Sequence, residues 1–207
     1  MKPFSQACEN NKEAILSVIS TLLKDKQKLL EIGSGTGQHA VYFTEKLPHL
    51  NWQTSDREEN HEGINQWIDE DLLNQEFNNN IFNNNIERPI EIDALDYKWP
   101  EKIYDAVYSA NTAHIMPWLA VQSFFKGAGE ALIKGGIFIL YGPFNYDGAF
   151  TSESNVLFEQ WLKSVDTNRG IRDFEKVNQL AYESGLHLIN DYEMPANNRI
   201  LVWEKRE

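Results

Sequence analysis

Glycine at positions 33, 35 and 37, behind a short apolar run at 28–32 (KLLEI) and ahead of an amphipathic stretch from Gln38 to about residue 47, most narrows what this chain can fold into. A strand that turns through such a loop into a helix needs residues that reach positive φ and let the main chain approach a ligand closely. The spacing separates two kinds of ligand. A dinucleotide fingerprint, G-x-G-x-x-G/A, would place its third small residue at position 38, where this chain has Gln38. Gly33, Gly35 and Gly37 instead form a G-x-G-x-G series preceded by the acid Glu31.

Around this unit, strand-like and helical stretches alternate. Apolar runs at 51–55, 87–92, 102–110 and 137–141 are separated by helical patterns at 60–73 and from 117 to 133. A helical stretch at 10–23, with Ile15, Ile19 and Leu22 at helical spacing, precedes them all. Helical patterns at 153–165 and 174–184 lead to strands at 186–192 and 199–203, joined by Pro195-Ala196-Asn197-Asn198 in a hairpin-like link. Strand–helix alternation implies right-handed crossovers and a parallel sheet covered on both faces. The pattern predicts an α/β fold: a Rossmann-like, doubly wound, mainly parallel seven-stranded sheet with a terminal antiparallel β-hairpin. With 207 residues and no linker or repeat, a single domain over 1–207 is expected.

Composition removes several functions. The formal net charge of −12 argues against nucleic acid or an anionic membrane surface as a partner. No stretch approaches the ~20 apolar residues of a membrane-spanning helix. Cys8 is the one cysteine, so no intrachain disulfide can form, and the opening MKPFSQACENNKEA lacks a secretory pattern. A cytoplasmic protein is expected. The Asn-rich tract at 74–85 reads as a solvated loop. His39, His49, His61 and His187 lack metal-ligand spacing, and no metal is expected.

The G-x-G-x-G series with its leading acid resembles motif I of the class I S-adenosylmethionine-dependent methyltransferases. The resemblance implies that Gly33, Ser34, Gly35 and Gly37 hug the methionine portion of that cofactor and that Glu31 helps hold its ammonium group. Ligands of open α/β sheets bind beyond the carboxyl ends of the strands, where further polar residues fall. Asp56, ending the second strand, can accept from both ribose hydroxyls. Asp93, ending the third, can accept from the adenine amine, with Ala94 and Leu95 as apolar packing. Asn111, ending the fourth, falls at the methyl-donor end. Taken singly, each acid also reads as a solvated turn former or helix cap; the argument rests on their common register along one sheet edge.

The resemblance extends further. LLEIGSGTGQHA (29–40), YDAVYSANTAHIMPW (104–118), LYGPF (140–144), SN (154–155), GIRD (170–173) and MPANN (194–198), with Asn11-Lys12, resemble the domain-of-unknown-function 938 family, whose animal members are called methyltransferase-like protein 26. Ala14 and Thr54 depart from it, proline being usual there, as does the Asn-rich tract. What is implied is a methyltransferase fold, S-adenosylmethionine as cofactor, S-adenosylhomocysteine as product, and residues 1–26 as a helical lid over the cofactor.

On the acceptor side, the N/D-P-P-Y signature of nucleobase amino-methyltransferases is missing. His114, the one histidine near the methyl-donor end, is the candidate general base, its alternative being a structural histidine bonded to backbone. Tyr141, in Tyr141-Gly142-Pro143-Phe144, is a candidate catalytic wall residue, its alternative being core packing. The leading expectation is a methyltransferase acting on a small molecule or a protein side chain. A cofactor-binding protein of the same fold without transfer is the competing one. A nicotinamide-dependent oxidoreductase is disfavoured by the glycine spacing.

Overall fold

In the strand at Lys28–Glu31 (β1), Leu29 and Leu30 point to opposite faces of a sheet, and both are fully buried. The same alternation recurs in Tyr104–Ala110 (β4), Leu132–Gly142 (β5) and Asn198–Lys205 (β9), so each of these strands feeds two separate cores. The computed structural model describes residues 2–77, 85–96 and 98–206. The other elements are helices Gln6–Leu22 (α1), Gln38–Lys46 (α2), Glu58–Phe77 (α3), Trp118–Ala131 (α4), Glu153–Val165 (α5) and Phe174–Glu183 (α6), and strands Asn51–Asp56 (β2), Ile86–Glu91 (β3), Phe144–Asn145 (β6), Arg172–Asp173 (β7) and Leu186–Met194 (β8).

The main sheet has seven strands in the order β3-β2-β1-β4-β5-β9-β8. Pairings from β3 through β5 are parallel; β9 runs antiparallel to both β5 and β8. One core holds Ile15, Phe43, Trp52, Ile64 and Tyr108, from α1, α2, β2, α3 and β4. The opposite core holds Phe124, Phe125, Phe138, Val177 and Trp203, from α4, β5, α6 and β9. The expected doubly wound sheet with its terminal hairpin is observed, and β9 is the one reversed strand, a position in from the edge.

Several boundaries differ from the sequence reading. Helix α1 starts at Gln6 because the Ser5 hydroxyl caps it, accepting from the Cys8 N–H at 3.4 Å. Strand β5 begins at Leu132, ahead of the Lys134-Gly135-Gly136 turn, which survives as a bulge between the pairs Tyr104–Leu132 and Ala106–Ile137, with Gly135 at φ 79°. The pairing of β6 with β7 was not anticipated. The reading of 74–85 as a loop meets helix as far as Phe77, and residues 78–84 lie outside the described ones. At its far end Asn85 donates to the Leu50 carbonyl at 2.9 Å and to those of Thr44 and Leu47 at 3.3 Å, closing the end of α2. No helix among the described residues is long and apolar enough to cross a membrane.

Candidate functional site

The strand order reverses between β1 and β4, and the loop after β1 lies at that switch point, where open α/β sheets bind ligands. Gly33, Gly35 and Gly37 have φ of 75°, 59° and 89°, the left-handed region where a side chain is strained. A Cβ on Gly33 would stand 2.6 Å from the Thr112 methyl, and one on Gly37 would stand 3.1 Å from the Ile64 backbone. A Cβ on Gly35 would meet nothing within 4 Å, so no protein atom fills the space over the loop there. The loop is tied to β2: the Gly33 and Ser34 N–H groups donate to the Ser55 carbonyl at 3.0 and 2.9 Å, and the Gly35 N–H donates to Asp56 Oδ2 at 2.7 Å.

Glu31 is buried beneath this loop. Its Oε2 accepts from Ser34 Oγ at 2.9 Å and Trp52 Nε1 at 3.0 Å. Burial nonetheless pushes its carboxyl up to about 7, because those bonds only partly replace lost water. The Tyr108 hydroxyl beside it is buried with no hydrogen-bond partner among the described residues. Burial and the neighbouring Glu31 charge raise its pKa well above the tyrosine range. A buried acid with a raised pKa thus stands beside a buried hydroxyl that lacks a partner among the described residues.

The remaining strand-end residues lie along the same edge. Asp56 Oδ1 accepts from the Arg57 N–H and the Asn60 amide, both at 2.8 Å. With the Gly35 N–H on Oδ2 the carboxylate accepts three donors, and such a group takes about four, so it has room for one more. Asp93 Oδ1 accepts from the Leu95 N–H at 2.8 Å, holding a turn in which Ala94 is buried and Leu95 exposed. Asn111 has φ 60° and its N–H donates to the Tyr141 carbonyl at 2.9 Å, which brings the ends of β4 and β5 together.

Beyond those ends lies a cavity of about 370 Å³, with Asn111, Tyr141 and Pro143 as its floor, α1 and α5 as its sides, and Pro195, Ala196 and Asn198 as a rim. Burial raises the Tyr141 pKa, offset in part by the amides of Asn11 and Asn198 beside its hydroxyl. His114 is not brought to this wall. Its ring packs edge-on to Phe158, centroids 5.3 Å apart, and Phe158 lines the cavity in its place. Neither ring nitrogen has a hydrogen bond among the described residues, and burial, with Arg172 and Arg169 nearby, lowers its pKa to about 4. The imidazole is neutral and packs beside Phe158, outside the residues that line the cavity.

Sequence reasoning missed Asn155, Phe158 and Asn198 as lining residues, although SN and MPANN had stood out. It also missed Arg172, whose guanidinium bonds the Ala113, Met116 and Asn168 carbonyls and so fixes the segment carrying His114.

The α1 segment crosses this site. The Ser5 N–H donates to Gln38 Oε1 at 2.5 Å, Gln38 Nε2 donates to Glu9 Oε1 at 2.8 Å, and His39 Nε2 lies 2.7 Å from Asn11 Oδ1. Trp67 Nε1 donates to the Pro3 carbonyl at 2.7 Å.

The reversed strand order, with a strand–glycine–helix turn at its switch point and the antiparallel β9 between β5 and β8, is the fold seen in class I S-adenosylmethionine-dependent methyltransferases. Solved structures of that kind superpose on nearly the whole chain. Mitomycin 7-O-methyltransferase MmcR matches with TM-score 0.79 at 13% identity over 96% of this chain and 54% of its own. The S-adenosylmethionine-dependent methyltransferase SibL matches with TM-score 0.78 at 16% identity, over 97% and 56%. Human N-acetylserotonin methyltransferase, solved in complex with SAM, matches with TM-score 0.76 at 15% identity, over 98% and 53%. This chain therefore spans a little over half the length of each. It belongs to the family described as Protein of unknown function (DUF938), whose model matches residues 2–205.

Proposed function

We propose that the protein is an S-adenosylmethionine-dependent methyltransferase whose acceptor occupies the cavity over Asn111 and Tyr141. The observation that carries the reading is the glycine loop: left-handed backbone at Gly33, Gly35 and Gly37, with open space above Gly35 and a buried acid below. The solved neighbours support it, one of them having been solved with SAM and another, PigF, with SAH. Bound over the glycine loop, the cofactor would supply an electrophilic methyl group for an acceptor heteroatom.

In this reading Glu31 and Ser34 hold the ammonium end and Gly33 to Gly37 provide main chain at contact distance. Asp56 accepts from a ribose hydroxyl, and Asp93, Ala94 and Leu95 hold the adenine. Asn111 stands at the junction of the cofactor site and the cavity. Tyr141 touches the acceptor, and the chain's main task is alignment, which alone can supply a large share of such a rate. His114 supports Phe158 from behind.

A second reading is a protein of this fold that binds the cofactor without transfer. It is favoured by the cavity wall, which carries no Asp, Glu, His or Lys side chain among the described residues. Incubating the protein with methyl-labelled S-adenosylmethionine and a metabolite extract separates the two. Label in a new extractable product, with stoichiometric S-adenosylhomocysteine, is expected. Cofactor binding without any product above background would favour the second reading.

A further inference from the structure

The cavity beyond β4 and β5 is walled by carboxamides. Asn10, Asn111, Asn155 and Asn198 stand around it with Tyr141, and Phe158 and the prolines supply flat apolar surface. Several of these amides keep hydrogen-bonding capacity in hand. The Asn111 side chain has no hydrogen bond among the described residues. Asn155, only 4% exposed, donates from Nδ2 to Thr151 Oγ1 at 2.9 Å, while its Oδ1 accepts from no described group. Asn10 accepts from Gln6 Nε2 at 2.9 Å, leaving its own amide N–H groups unused among the described residues.

Among the described residues no cationic or anionic side chain lines the space. Lys12 and Arg199, the sequence neighbours of Asn11 and Asn198, are already paired with Glu9 and Asp191. The space opens to solvent past Asn10, Ser154, Pro195 and Ala196, which are exposed, so an ion seated against the buried Tyr141 and Asn155 would shed part of its water and find no counter-charge in return. A neutral polar ring would find each need met: amides present donors and acceptors side by side, and Phe158 and the prolines cover its faces. The volume of about 370 Å³ falls in the usual range for small-molecule sites, roughly 300–1,000 Å³.

We propose that this amide-walled cavity selects an uncharged, hydrogen-bonding, ring-sized molecule and discriminates against carboxylates and ammonium ions of the same shape. As an assignment of acceptor class it rests on the methyltransferase reading; as a statement of selectivity it does not.

The test uses three probes of nearly equal shape: 4-hydroxybenzamide, 4-hydroxybenzoate and 4-hydroxybenzylamine. Their binding to the full chain is followed by ligand-observed NMR, with and without S-adenosylhomocysteine. The benzamide should bind at least tenfold more tightly than either ion. Asn155→Asp should bring the benzylamine to at least the benzamide's affinity and weaken the benzoate further, with Asn198→Asp as the second variant should the first fail to fold. Equal or tighter binding of either ion to the wild type, or saturation by none of the probes, would overturn the proposal. Titration of S-adenosylhomocysteine into the same sample keeps the readings apart. Cofactor binding without probe preference defeats the selectivity alone, and probe preference without cofactor binding defeats the methyltransferase reading alone.

Discussion

Glu31 shows at the scale of one residue what the fold does to chemistry. Its folded pKa of about 7 lies above the ordinary glutamate value of 4.5, so the folded state holds a proton that the unfolded chain has lost between those values. Stability contributed by this group is therefore full below pH 4.5 and falls as pH rises to 7, by up to about 3 kcal/mol. Glu31→Gln should remove that fall: melting curves of the ligand-free variant should be flatter than wild type from pH 5 to 7.5. A bound ammonium favours the carboxylate, so S-adenosylmethionine binding near pH 6.5 should release protons, seen by calorimetry in buffers of different ionisation enthalpy, and Glu31→Gln should abolish the release. Asp56 has a separate role. A hydrogen bond to a charged group is worth about 1.5–3 kcal/mol, so Asp56→Ala should weaken cofactor binding roughly ten- to a hundredfold, and an unchanged dissociation constant would remove the ribose role. His114 marks what a residue-level reading leaves open. A histidine soon after a strand end looks like a base, but whether Phe158 stands between it and the cavity is decided by α5, far away in sequence. On the reading in which Phe158 covers it, His114→Asn should lower turnover by less than about threefold, where loss of a direct base costs about 10²–10⁴-fold.

Elements with long periodic patterns were legible, and those defined by tertiary contact were not. The apolar alternation of β4 and β5 marked both strands, and the helical spacing in α5 gave its limits as observed. Strands β6 and β7, of two residues each, carry no period to detect, and they exist because each is the other's partner. The start of α1 depended on a hydroxyl cap that apolar spacing ignores. That helix also yields a prediction of its own. Residues before it are held against α3 by the Trp67–Pro3 hydrogen bond, and a single such bond is worth about 0.5–1.5 kcal/mol. As the expected lid over the cofactor, the segment should open more often in Trp67→Phe. Cofactor dissociation measured by stopped flow should then speed roughly two- to tenfold with little change in melting temperature; an unchanged rate would separate the segment from the site.

Across the whole molecule, the glycine spacing and the strand-end acids could be read together because parallel strands bring their carboxyl ends to one edge by construction. The acceptor cavity could not, since its walls come from α1, the ends of β4 and β5, α5 and the β8–β9 link, brought together only by folding. The account stands or falls on the space above Gly35. Titrating S-adenosylmethionine, S-adenosylhomocysteine and NADH into wild type and Gly35→Val by calorimetry tests it directly. Both adenosyl compounds should bind wild type at one site per chain and NADH should not, while the variant keeps its far-ultraviolet circular dichroism and loses that binding. Equal affinity for wild type and variant, or saturable binding of NADH alone, would contradict it.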